Sequence, residues 1–164
     1  MAIPDTNPLT ERLDEYIALT REFLRDYEQE NHLTDDGGEE FSNRTIGMSV
    51  VMALELFNYT IGHITRYNID NVPVPTLIVI GAAGLTMSSG GIKQTRNHFT
   101  TSDGNTGGPL SEKTSLYQGW GEQLLNIFQK FGMKYKEAAN LESSYGGVAS
   151  EYLLLYSRTI LKST

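Results

Sequence analysis

The sequence predicts a mainly α protein: a four-helix domain with a long inter-helix loop or β-hairpin and an extended C-terminal segment. Three observations carry that prediction. Apolar residues recur at steps of three and four over separate stretches, the spacing that puts them on one face of a helix. Asn7-Pro8, Ser42 or Asn43, Pro75 and Ser111 stand where such stretches begin and suit helix starts. Clusters of glycine and proline separate the stretches.

The first helix is expected over residues 8–30. Asn7 serves as N-cap, Pro8 takes the first helical position, and Glu11 lies in the first turn, where the helix dipole favours an anion. Leu9, Leu13, Tyr16, Ile17, Phe23, Leu24 and Tyr27 then form one apolar stripe opposite Glu11, Glu15, Glu22 and Asp26. Residues 31–40, NHLTDDGGEE, break the periodicity and read as an exposed loop, without the full ligand spacing of a calcium loop.

A second helix is expected over residues 43–67, with Ile46, Val50, Leu54, Phe57, Ile61 and Ile64 at helical steps. His63 lies beside that stripe without a second ligand at metal spacing and reads as a surface or boundary residue. Pro73 and Pro75 push Val72 and Val74 towards extended backbone, so 71–75 is a stiff connector. Pro75 can open a third helix, expected over 76–95. Ile78-Val79-Ile80 alone would suit a strand, but Gly81-Ala82-Ala83-Gly84-Leu85-Thr86-Met87 carries the segment past usual strand length. Gly81, Gly84 and Ser88 share a face with little side chain, so another helix can approach closely. The apolar part, 77–87, is shorter than the roughly 18–20 residues a membrane span needs and reads as core.

Residues 97–111 hold Gly104, Gly107, Gly108 and Pro109 and are expected to form a projecting loop. Two near-motifs fall here. Asp103, Asn105 and Gly108 match three positions of a calcium loop, but Thr114 stands where a bidentate Glu is needed. Gly107 to Thr114 approaches a phosphate-binding G-x-x-x-x-G-K-T, but Glu112 replaces the glycine and would repel a phosphate. The fourth helix is expected over 112–140 with Ser111 as N-cap and Tyr117, Trp120, Leu124, Ile127, Phe128, Phe131, Tyr135 and Ala138 as its stripe. Lys130, Lys134 and Lys136 read as a solvated, dipole-matched face. Beyond it, Gly146-Gly147 precedes Tyr152-Leu153-Leu154-Leu155-Tyr156, an apolar run with reason to dock on its own core or on another chain. The double glycine favours a neighbouring chain or a larger partner. The organisation is therefore a helical domain, 1–140, with its loop at 97–111, and a docking segment, 141–164.

Composition narrows the chemistry. The chain has 164 residues and no cysteine, which suits one domain and excludes disulfides, cysteine nucleophiles and thiolate metal sites. Its start lacks the basic and apolar regions of a secretory signal. Net charge is −7, divided as −9 over residues 1–40 and +2 over 41–164, an asymmetry that reads as a solvated acidic face, with head-to-tail packing of copies as the alternative. No basic patch with interleaved aromatics supports nucleic-acid binding. No cofactor is expected, and no nucleophile, base and orienting carboxylate lie in a recognisable pattern, so an enzyme is not expected either.

The run Leu77-Ile78-Val79-Ile80-Gly81-Ala82-Ala83, followed by Arg96-Asn97-His98-Phe99-Thr100-Thr101-Ser102-Asp103-Gly104 and then by Asn140-Leu141-Glu142-Ser143-Ser144-Tyr145-Gly146-Gly147-Val148-Ala149-Ser150-Glu151-Tyr152, resembles structural proteins of tailed-bacteriophage virions. The likeness is to the small helical neck proteins, the head–tail adaptors or connectors that form a ring under the portal. It implies a homo-oligomeric, dodecameric ring in the virion neck, assembled in the host cytoplasm, with the portal protein and downstream neck or tail proteins as partners. DNA would pass through its channel without sequence-specific binding, and no membrane is involved. The contacts it implies are Arg96, Asn97, Phe99 and Asp103 in the loop region and Tyr145, Val148, Tyr152, Leu154 and Tyr156 in the C-terminal segment. A tail or baseplate ring protein is the alternative, ahead of a small ligand-binding or enzymatic domain.

Overall fold

The computed structural model describes residues 8–26, 39–60, 66–101 and 109–144, with side chains over 12–26, 39–60, 66–96 and 114–144. Four helices account for most of them: α1 Pro8–Leu24, α2 Asn43–Tyr59, α3 Pro75–Thr101 and α4 Pro109–Ser144. No strand occurs among the described residues. The third helix is central, packing against each of the other three, while α4 leans almost wholly on α3.

The first helix stops earlier than expected. Arg25 adopts φ 53°, and its N–H donates to Glu22 O at 3.1 Å while Asp26 N–H donates to Arg21 O at 3.2 Å. This pair of bonds is a Schellman turn with an arginine in the left-handed position usually held by glycine. The turn corrects the place of Asp26. A continuing helix would leave it in water opposite the apolar stripe, but the reversal swings it inward to 3% exposure. There it pairs with Arg21 and accepts from Glu40 N at 2.9 Å and Phe41 N at 3.3 Å. Arg21 also donates to Phe41 O and Asn43 Oδ1, both at 2.8 Å, so the pair ties the end of α1 to the start of α2. Phe23, expected in the stripe, faces outward, and Thr20 occupies the buried position with its hydroxyl on Tyr16 O at 2.7 Å.

Ser42 caps α2, accepting from Thr45 N at 3.2 Å, and Ile46, Val50, Ala53 and Phe57 form its buried face. The helix ends at Tyr59 rather than near 67. Thr60 closes it by donating from both its N–H and its hydroxyl to Leu56 O, at 3.0 and 2.9 Å. Asn58 then clamps the returning chain: Tyr67 N–H donates to Asn58 Oδ1 at 2.8 Å and Asn58 Nδ2 donates to Tyr67 O at 2.9 Å. Ile61, His63 and Ile64 lie outside the described residues.

The apolar run from Leu77 is helical, burying Leu77, Ile78, Val79, Ala82, Ala83 and Met87. It is also longer than its sequence reading allowed. The 22 residues Pro75–Arg96 are long and apolar enough to cross a membrane, but 61% of their most apolar window is buried inside the fold, which makes α3 the core helix. The expected loop at 97–111 is shorter at both ends: α3 continues to Thr101 because no breaker precedes Gly104, and α4 begins at Pro109, whose missing N–H costs nothing at a first helical position. Residues 102–108 lie outside the described residues. At 36 residues α4 is about 54 Å long and runs past Asn140, the expected end of its apolar pattern.

Candidate interaction surfaces

Small residues decide which face of α4 meets α3. A Cβ on Gly121 would stand 2.6 Å from Ser88 Oγ and 3.0 Å from Gly84 O, and one on Gly81 would stand 2.7 Å from the Phe128 ring. The two backbones therefore approach more closely at Gly84 and Gly121 than side chains would permit. This is the close approach expected of Gly81, Gly84 and Ser88, completed by a glycine on α4 that the apolar pattern did not flag. The consequence is a rotation of α4. Tyr117, Gly121, Phe128, Gly132 and Lys136 turn inward, whereas Trp120, Ile127 and Phe131 of the expected stripe are 48%, 41% and 57% exposed.

That rotation also corrects Lys136, which is not on a solvated face. Its side chain is fully buried, and its ammonium donates to Asn58 O at 3.0 Å and Thr60 O at 2.9 Å, 5.0 Å from the centroid of the Phe57 ring. It thus satisfies carbonyls at the C-terminal end of α2, where the helix dipole favours a cation. Burial lowers the Lys136 pKa below its usual 10.5. Tyr67 and Tyr135 flank Phe57 with ring centroids 5.7 and 6.1 Å away, and burial, then Tyr135, raise the Tyr67 pKa. Lys130 and Lys134 remain exposed, as expected.

Among the described residues, exposed apolar side chains gather on the outer face of α2 and along α3 and α4. Met48, Val51, Met52, Leu56 and Tyr59 line the outer face of α2, with Tyr59 77% exposed, and Met133 of α4 adjoins it across a shallow pocket. Between α3 and α4, Leu77, Ile80, Ile127, Phe131 and Tyr135, with Val74 just before α3, line an open groove of about 460 Å³, with exposed Lys134 at its rim. Exposed apolar side chains grouped at helical spacing are candidate contact surfaces, unlike the scattered apolar residues of any protein exterior.

Of the contact residues expected from sequence, Arg96 is exposed near the end of α3, and Asn97 and Phe99 lie on the same helix rather than in a loop, their side chains outside the described residues. Asp103, Tyr145, Val148, Tyr152, Leu154 and Tyr156 also lie outside them. Among the described residues no three His, Asp or Glu side chains gather as a metal site. Neither a family model, nor a curated protein, nor a solved structure matches the chain.

Proposed function

We propose that the chain is a non-enzymatic structural protein of a tailed-phage virion, forming a ring that joins the head, through the portal, to the tail. The observation that carries this reading is the presence of two separate apolar faces on one helical body, the outer face of α2 and the α3–α4 groove. A ring needs a heterologous interface, in which two different patches of one subunit meet their counterparts on its neighbours. One face alone would serve a two-fold dimer. The sequence likeness to neck connectors supplies the place in the particle, twelve copies, and contact roles for residues 96–108 and 145–156. The acidic excess of residues 1–40 suits the wall of a channel that conducts DNA without gripping its phosphates.

Fractionation of particles tests the reading against its alternative, a tail or baseplate ring. A neck protein stays with portal-containing heads that lack tails, whereas recovery with free tails supports the baseplate reading. Absence from every particle fraction removes both.

A further inference from the structure

We propose that in the free subunit the C-terminal run Tyr152-Leu153-Leu154-Leu155-Tyr156 lies in the chain's own α3–α4 groove, antiparallel to α4. The groove is lined by Val74, Leu77, Ile80, Ile127, Phe131 and Tyr135, and its volume of about 460 Å³ falls within the roughly 300–1,000 Å³ of cavities that bury a drug-sized ligand. Its open side bares Ile127 and Phe131, at 41% and 57% exposure.

The length of chain beyond α4 fits this occupant in register. From Ser144 back to Tyr135 is nine residues of helix, about 13 Å. Gly146-Gly147 permits a reversal, and residues 148–151, extended, cover about 13 Å, which brings Tyr152 level with Tyr135. The groove then runs eight helical residues from Tyr135 to Ile127, about 12 Å, and the five extended residues 152–156 span about 16 Å. Leu154 falls opposite Phe131 and Tyr156 opposite Ile127. The chemistry matches as well: the run has no charge to strand in an apolar groove, and Glu151 arrives beside the Lys134 rim.

A segment so tethered reaches the groove at high effective concentration, so the isolated subunit covers the groove with Tyr152, Leu154 and Tyr156, the side chains that an extended run turns to one side. The role given to this contact, covering an assembly surface until a neighbouring copy or the portal draws the segment away, rests on the ring reading. The contact itself is a property of the isolated protein, so its failure and the failure of the ring reading are observed separately.

The absence of cysteine makes the test direct. In the full-length chain, the double variant Phe131→Cys with Leu154→Cys is oxidised at low protein concentration, beside a control pairing Leu154→Cys with Met52→Cys on the outer face of α2. The expected result is a monomeric cross-linked species from the first pair and loss of that species from the control. Cross-links that join two chains and vanish on dilution overturn the assignment to the same copy, and absence of any cross-link from the first pair overturns the contact. As a second readout, Phe131→Asp, at an exposed position, leaves the helical domain folded but exposes residues 152–156 to chymotryptic cleavage. Equal cleavage rates in this variant and the wild type contradict the proposal.

Discussion

The Lys136 ammonium stands 3.0 Å from the carbonyl oxygen of Asn58, joining the last turns of α4 to the end of α2 across 78 residues of sequence. These two helices also meet through the Phe57 and Tyr135 rings, while both lean mainly on α3. A buried cation on backbone carbonyls and an aromatic face ties α4 to the end of α2.

Replacing this cation has a defined cost and a defined pH signature. Lys136→Met keeps the stem but leaves the Asn58 and Thr60 carbonyls without their donor, at a cost of about 1–3 kcal/mol. Because the folded pKa lies below 10.5, the unfolded chain binds a proton that the folded chain has released at any pH between the two values, so wild-type stability rises with pH in that window. The variant has no titrating group at this position. Its deficit relative to wild type therefore widens as pH is raised through that window, as read by denaturant melts. The series stays below pH 10.0, because burial raises the Tyr16 and Tyr67 pKa values above 10.0 and the stability they confer is lost as pH rises through those raised values.

Gly121 and Gly119 lie two positions apart on α4 and predict opposite outcomes. Gly121→Ala forces its Cβ against Ser88 and the Gly84 carbonyl, and the resulting overpacking lowers stability by about 1–3 kcal/mol. A Cβ on Gly119 meets nothing within 4 Å, so Gly119→Ala gains helix propensity, about 0.5–1 kcal/mol. Thermal melts of both variants check the pair, and equal shifts contradict a glycine seam.

How much of this was legible in the sequence follows from what each signal measures. Helical periodicity found all four helices, because the steps of three and four at Ile46, Val50 and Phe57 or at Tyr117 and Phe128 report burial directly. It could not orient α4. Side-chain hydrophobicity pointed to Trp120, Ile127 and Phe131, whereas backbone approach at Gly84 and Gly121 chose the neighbouring face and carried Lys136 inside with it. The signal that could have found this was spacing: Gly121, Phe128 and Gly132 repeat at helical steps opposite the small residues of α3. Asp26 was misplaced for another reason. Its burial depends on a left-handed residue at Arg25, and nothing in an arginine announces that conformation.

Removing the Asp26 carboxylate should loosen the α1–α2 connection. Asp26→Ala leaves the N–H groups of Glu40 and Phe41 without their acceptor and the Arg21 guanidinium, 12% exposed, without its nearest anion. Loss of one member of a buried pair costs about 3–5 kcal/mol. The low end, about 3 kcal/mol, is expected here, because Arg21 keeps Phe41 O, Asn43 and Glu39. Hydrogen exchange localises the effect, with protection falling first in α1.

The outer face of α2 should matter to assembly and little to folding. Met52→Glu, at a half-exposed position, changes subunit stability by no more than about 0.5 kcal/mol. Under the proposed function it also abolishes association between copies, as read by sedimentation velocity. Unchanged association removes the α2 face from the interface.

A ring built from two different faces of each subunit is visible in an electron-microscopy reconstruction of the assembled oligomer. The expected reconstruction is a closed ring of identical subunits, twelve in number as the neck-connector likeness implies, with the α2 face carrying Met52 and Tyr59 and the groove carrying Phe131 both covered by neighbours. A two-fold dimer joined through one face, or an assembly that leaves both faces in solvent, contradicts it.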